Sequence, residues 1–227
     1  MPAVRVEGLC KRFGEVQALD KLTLTVPSGS VFGFLGPNGA GKTTTIRILT
    51  GLARPSSGRA WVDEVQVTAG TAGRRQVTKH IGYLPQDPAF YSWMTAREFL
   101  DHSGRLFGLP SRERCTRTQE LLELCGLTEA AERRVGDFSG GMRQRLGVAQ
   151  ALINQPSVLF LDEPVSGLDP AGRRDLLELI EHLSGKCTVF MSTHILADVE
   201  RVCDSVGIIN RGQLVTEART DELLERY

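Results

Sequence analysis

The chain is 227 residues long, and at about 150 residues per domain this argues for one large domain or a core with a small insertion. Hydrophobic residues make up 41% and charged residues 24%, with Lys+Arg and Asp+Glu equal at 27 each, a composition that excludes disorder, collagen and coiled coil. The zero formal net charge argues against nucleic acid as a main partner, and no apolar run approaches the ~18 residues needed to span a bilayer. The first residues, Met1 to Glu7, lack the basic-then-apolar layout of a signal peptide, and no CaaX box ends the chain, so a cytoplasmic location is expected. Five cysteines, an odd number without C-x-x-C spacing, point to reduced and mostly buried thiols, with neither a disulfide framework nor a zinc site.

Short alternating strands are predicted first: Val4 and Val6, then Leu22, Leu24 and Val26, place apolar groups on one face, while Arg5, Thr23 and Thr25 face the other. An antiparallel, half-solvated sheet follows from that pattern. Five later runs, Val31 to Leu35, Ile81 to Leu84, Val158 to Leu161, Thr188 to Met191 and Val206 to Ile209, are apolar on both faces and read as a parallel sheet covered by helices. Between Tyr91 and Val135 the texture is helical. One helix starts at Thr95, whose spacing to Glu98 makes a capping box; a second runs from about Arg112 to Cys125 and stops at Gly126; a third starts near Ser139 and carries the stripe Met142, Leu146, Ala149 and Ile153. The expected whole is an α/β fold with a mostly parallel core over about residues 1–90 and 156–227, a small antiparallel β layer that includes Trp61 and Val62, and an inserted helical subdomain over about 91–155.

The residues from Gly36 to Thr43 fit G-x-x-x-x-G-K-[ST], between a buried strand and the helical run Thr44 to Leu49. In such a turn the glycines let backbone N–H groups point inward, forming an anion nest at a helix N-terminus. The whole turn, Gly36, Pro37, Asn38, Gly39, Ala40, Gly41, Lys42, Thr43 and Thr44, is therefore expected to bind a nucleotide. Lys42 is expected to reach the β- and γ-phosphates, and the Thr43 hydroxyl to reach Mg²⁺. A second buried run, Val158 to Leu161, ends in Asp162 and Glu163. Acids at the carboxyl end of a parallel strand line the crevice where ligands bind, so Asp162 suits Mg²⁺ and Glu163 suits polarising a water that attacks phosphate.

These motifs, taken with those that follow in order, resemble the ATP-binding cassette (ABC) transporter ATPases over nearly the whole chain. Gln86 in Tyr83-Leu84-Pro85-Gln86 is similar to the Q-loop, which senses Mg²⁺ and touches the membrane partner. Phe138-Ser139-Gly140-Gly141-Met142 is similar to the signature motif, with Phe and Met where Leu and Gln are usual. Ser166-Gly167-Leu168-Asp169 is similar to the D-loop, Ser192-Thr193-His194 to the switch histidine, and Phe13 to the aromatic that stacks on adenine. Read alone, Ser139 with its glycines favours a helix cap, a lone histidine such as His194 is more often structural, and Phe13 could be a core residue.

The resemblance implies a P-loop NTPase core that takes ATP and Mg²⁺, with Glu163, His194, Gln86 and Lys42 serving hydrolysis. It implies that Ser139, Gly140, Gly141 and Asp169 face nucleotide held by a second cassette, identical or a sibling. It also implies a separate transmembrane permease subunit and a peripheral place on the cytoplasmic face of the membrane. The stretches Gly36 to Gly58 and Pro88 to Leu109 resemble the ATPases of two-component ABC-2 exporters. A soluble cassette serving ribosomes or DNA is the alternative, although such relatives usually carry two cassettes or a long coiled-coil insertion. A P-loop kinase offers no account of Gln86 or of Ser139-Gly140-Gly141.

Overall fold

The computed structural model describes residues 2–224, so Met1 and residues 225–227, on which the reading of the two chain ends partly rests, lie outside it. The chain begins with β1 (Pro2–Phe13), β2 (Val16–Pro27), β3 (Val31–Leu35), α1 (Lys42–Leu49), β4 (Ser57–Val62), β5 (Val65–Gln66), α2 (Gly70–Val77) and β6 (Ile81–Leu84). Three longer helices follow, α3 (Ala96–Leu106), α4 (Ser111–Leu124) and α5 (Gly140–Ala151). The chain then returns to alternating elements in β7 (Val158–Asp162), α6 (Pro170–Glu181), β8 (Thr188–Thr193), α7 (Leu196–Val202), β9 (Ser205–Asn210), β10 (Gln213–Arg219) and α8 (Thr220–Leu224).

Two sheets form. The smaller has the order β2-β1-β4-β5 and is antiparallel; the larger has the order β10-β9-β3-β8-β7-β6 and is parallel except for its edge strand β10. The N-terminal strands are not short. β1 and β2 run twelve residues each, and register shifts between Val6 and Leu9 and again after Leu9 let the long ribbon bend over the core. Their alternation holds nonetheless, with Val4, Val6, Leu22, Leu24 and Val26 buried on one face.

Strand periodicity divides the interior. Phe32, Phe34, Val158, Phe160 and Phe190 point to one side of the parallel sheet, where they meet α1 and the antiparallel layer; Val31, Leu159, Leu161, Val189 and Met191 point to the other, where they meet the helices. One face of the parallel sheet is therefore covered largely by β structure, not by helices alone as the apolar runs suggested. The reason is the phenylalanine cluster: the Phe190 ring lies 5.3 Å from Phe32, 5.3 Å from Phe34 and 5.5 Å from Phe160, presenting a broad flat surface that the apolar side of the β layer can cover.

The helical segment follows its local signals. The Thr95 hydroxyl accepts from the Glu98 N–H, and the Glu98 carboxylate accepts from the Thr95 N–H, completing the capping box that starts α3. α5 lies flat on β6 because Gly147 leaves room for Leu84, and Gly82 leaves room for the Ala151 carbonyl; a Cβ at either position would collide. Among the described residues no helix is long and apolar enough to cross a membrane. Cys125, Cys187 and Cys203 are buried thiols, Cys10 is half-buried, and Cys115 is exposed on α4.

Candidate functional site

β3 ends at Leu35 in the middle of the parallel sheet, and the chain turns through residues 36–41 into α1. The turn can take only glycine at its two ends. A Cβ on Gly36 would strike the Ile209 carbonyl, and one on Gly41, where φ is +111°, would stand 2.7 Å from the Ala18 carbonyl oxygen. The loop is clamped by the Gly36 N–H donating to the Thr193 carbonyl at 3.2 Å and the Gly212 N–H donating to the Ala40 carbonyl at 2.9 Å. Among the described residues no side chain caps the N-terminus of α1 and no acid stands in its first turn, so the positive end of the helix dipole is left uncompensated there, an arrangement suited to an anion.

Around this turn lies a cleft of about 320 Å³ lined by Ala18, Asn38, Gly39, Gly41, Lys42, Thr43, Thr44, Gln86 and Glu163. Lys42 is nearly buried, and its Nζ donates to the Gly36 carbonyl at 2.6 Å and the Pro37 carbonyl at 3.2 Å. The same Nζ lies 3.0 Å from Glu163 Oε1. That buried oxygen has no hydrogen-bond partner among the described residues, and the nearby ammonium compensates its charge as an ion pair. Glu163 Oε2 lies 2.8 Å from His194 Nδ1. Lys42, Glu163 and His194 thus form a continuous chain along the carboxyl ends of β3, β7 and β8.

The backbone at Glu163 is held in an unusual state. Its φ is +49°, a left-handed conformation that costs a non-glycine residue on the order of 1–3 kcal/mol and persists where its surroundings over-determine it. Here Ser192 does so, its hydroxyl and its carbonyl accepting from the Glu163 N–H at 2.9 and 3.2 Å. The Ser192 hydroxyl also donates to Asp162 Oδ1 at 2.8 Å, and the Thr43 hydroxyl donates to the same oxygen at 3.1 Å. Sequence reasoning gave Ser192 no part of its own. The signal was its register, since Asp162 pairs with Ser192 across β7 and β8. Burial pushes the nearby Tyr83 hydroxyl up, and the Asp162 charge pushes it further while Arg47 opposes, so the phenol stays protonated beside a buried carboxylate.

The remaining sequence candidates lie elsewhere. Phe13 is half-exposed at the end of β1, with Lys11 Nζ 4.6 Å from its ring centre; it is not core and does not line the cleft, where Ala18 stands instead. Ser139 is the N-cap of α5, accepting from the Met142 N–H at 3.2 Å, and Asp169 is the N-cap of α6, accepting from the Gly172 N–H at 3.0 Å. Gly140 and Gly141 let α5 approach α6, with the Cβ position of Gly141 3.5 Å from the Gly172 Cα. None of these four residues lines the chain's own cleft.

The family model described as ABC transporter matches residues 19–166, which include the phosphate turn, Gln86, Ser139 and the Asp162-Glu163 pair. The chain belongs to this family. An ABC transporter ATP-binding protein of Bacillus subtilis, YxlF, is 46% identical over 97% of this chain and 72% of its own length. The bacitracin transport ATP-binding protein BcrA of Bacillus licheniformis is 40% identical over 98% of the chain and 72% of its length, and the daunorubicin resistance ATP-binding protein DrrA2 of Streptomyces coeruleorubidus is 43% identical over 97% and 68%. The cassette spans 59% and 62% of the length of two cyanobacterial relatives. Among solved structures, cbiO1 of Clostridium perfringens, part of the ABC transporter complex cbiONQ, superposes with a TM-score of 0.90 at 27% identity, covering 99% of this chain and 91% of that one. A dimeric cassette in a post-hydrolysis state with ADP and Pi superposes at 0.84 with 25% identity, covering 96% of this chain and 98% of that one.

Proposed function

We propose that this ABC cassette binds Mg·ATP in the cleft beside α1, hydrolyses it, and closes on a second cassette so as to drive a separate transmembrane permease from the cytoplasmic face of a membrane. The observation that carries the catalytic part is the Lys42, Glu163 and His194 chain at the ends of three adjacent strands, next to a helix N-terminus with no side-chain cap among the described residues.

The residues have complementary tasks. As triphosphate enters, Lys42 exchanges the Gly36 and Pro37 carbonyls and Glu163 for phosphate oxygens, while the N–H groups of Gly39 to Thr44 hold the β-phosphate. Released from Lys42, the Glu163 carboxylate accepts the proton of a water whose oxygen attacks the γ-phosphorus, and the bond from that phosphorus to the ADP oxygen breaks. His194 donates to the γ-phosphate. Thr43 and Asp162 fit Mg²⁺, a hard ion that takes hydroxyl, carboxylate and water oxygens, and Gln86 adds an amide at the rim. Bound there, the ion supplies neutralisation of phosphate charge.

Ser139, Gly140, Gly141 and Asp169 lie outside the chain's own cleft, which supports a reading in which they meet nucleotide held by a second cassette, either a copy or a sibling. Binding that is tighter in the closed state gives the differential affinity needed to move a partner. Relatives named for bacitracin transport, daunorubicin resistance and Nod factor export support an exporter of the ABC-2 kind, its cargo chosen by the permease. The test has two parts. Purified cassette should release phosphate from ATP only with Mg²⁺ present, and co-expression with its cognate ABC-2-type permease should yield a membrane-bound complex. Absence of phosphate release by that complex would sink the reading, and reproducible co-sedimentation with ribosomes instead of membranes would move it to the soluble class.

A further inference from the structure

Among the described residues the least solvent-accessible carboxylate outside the cleft is Asp198, in the short helix α7, fully buried and with no part in the chemistry above. A buried charge needs both a counter-ion and hydrogen bonds. Asp198 has them. Its Oδ1 accepts from Arg173 Nε at 2.8 Å and from Arg173 Nη2 at 2.6 Å, and its Oδ2 accepts from the Thr193 hydroxyl at 3.3 Å. The Thr193 hydroxyl in turn accepts from the Ile195 N–H at 3.1 Å.

Those two residues flank His194. The N-cap of α7 is Ile195, which offers no side-chain bond, so no capping hydrogen bond fixes how the chain leaves β8. The Asp198 to Thr193 to Ile195 relay supplies that restraint, closing a small ring of side-chain and backbone bonds around the histidine while its exposed imidazole reaches Glu163 Oε2. At the other end, Arg173 belongs to the first turn of α6. Its N–H donates to the Asp169 carbonyl at 2.9 Å, and the Asp169 side chain caps the same turn at Gly172. The loop Ser166 to Asp169 and the His194 corner are therefore joined through one ion pair, and a movement of that loop reaches the imidazole by a path of direct bonds.

We propose that Asp198 and Arg173 are positioning residues for hydrolysis: together they hold the His194 corner at the distance from Glu163 that the reaction uses, and they make that distance depend on the Ser166 to Asp169 loop. The inference rests on the catalytic reading of Glu163 and His194 given above. It adds that the reaction geometry is set from a loop that lines no part of the chain's own cleft.

The test is a double-mutant cycle on the complete cassette. Asp198→Asn keeps the shape and removes the charge, and Arg173→Gln does the same from the more exposed end of the pair, so the second variant carries the test if the first fails to fold. Each should lower kcat by roughly 10- to 100-fold, the scale on which a slightly misplaced group acts, with KM for ATP and ADP affinity within about twofold of the unmodified protein. Combined with His194→Ala, neither should lower kcat further, because both act through the imidazole. Losses that multiply in the combined variant, or a KM that rises while kcat holds, overturn the proposal. Unchanged kcat in both single variants overturns it while leaving the ATPase reading standing; a His194→Ala protein with full turnover overturns the role of the histidine, and this inference with it.

Discussion

Lys42 Nζ stands 3.0 Å from Glu163 Oε1 with both side chains buried, so a cation and a carboxylate at the foot of the cleft neutralise each other. The pair resolves a problem of solvation. Either charge alone, taken out of water at the bottom of the cleft, would cost several kcal/mol. On the mechanism proposed above, triphosphate would replace Glu163 as a partner of Lys42 and free the carboxylate as the reacting phosphate arrives.

That exchange sets the expected effect of Lys42→Ala. A charge-assisted contact to phosphate is worth roughly 1.5–3 kcal/mol, so calorimetry should show ATP affinity falling by about 10- to 100-fold, moderated because the free protein no longer has an ion pair to break. Unchanged affinity would remove Lys42 from the phosphate contacts.

Glu163→Gln should separate binding from chemistry. The amide keeps the size of the side chain and removes the base, so turnover should fall by about 10²–10⁴ while ATP still binds. With hydrolysis blocked, Mg·ATP should hold two cassettes together, visible as a dimer by light scattering. Undiminished turnover would take the general-base role from Glu163.

Much of this site was legible in the sequence because its parts sit at strand ends. A buried apolar run followed by glycines, Lys42 and Thr43, and another followed by Asp162 and Glu163, fix which residues emerge at the same edge of a parallel sheet. What spacing could not reveal was partnership across strands. Ser192 reaches Asp162 and Glu163 only because β8 lies between β3 and β7, an order set by crossovers far apart in the chain. The β layer over the phenylalanine cluster was hidden for the same reason, since local alternation shows which residues of β1 and β2 are buried and not what they are buried against. Likewise the edge strand β10, with its alternating half-exposed pattern, carries no strong apolar signal.

Ser139 offers a case where two readings of one hydroxyl can be measured apart. In the structure it caps α5, and Ser139→Ala should cost about 1 kcal/mol, lowering Tm by roughly 2–4 °C for a chain of this size. Ser139→Asn supplies an equally good cap and should restore Tm. If the hydroxyl also meets phosphate on a second cassette, the Asn variant should remain stable yet lose most of its turnover. Full activity in that variant would leave Ser139 a cap and nothing more.

The buried thiols predict a stability limit at alkaline pH. Burial pushes Cys125 up to about 12, Cys187 to about 11 and Cys203 to about 12, the last also raised by Asp204 and Asp198. An unfolded chain releases these protons near the ordinary thiol value of about 8.5, whereas the native chain keeps them, so above that pH the native state binds more protons and folding stability falls as pH rises. Below it the groups are neutral in both states and contribute no slope. The loss approaches about 1.4 kcal/mol per pH unit for each thiol between the unfolded and folded values. Urea unfolding at pH 8 and pH 10 should show this fall, and a variant with Cys125, Cys187 and Cys203 all replaced by alanine should show a shallower one, whatever its stability at pH 8. In the native protein at pH 8 a thiol reagent should modify exposed Cys115 first and leave the three buried thiols until unfolding. Equal slopes in the two proteins would mean that the buried thiols titrate as they do in water.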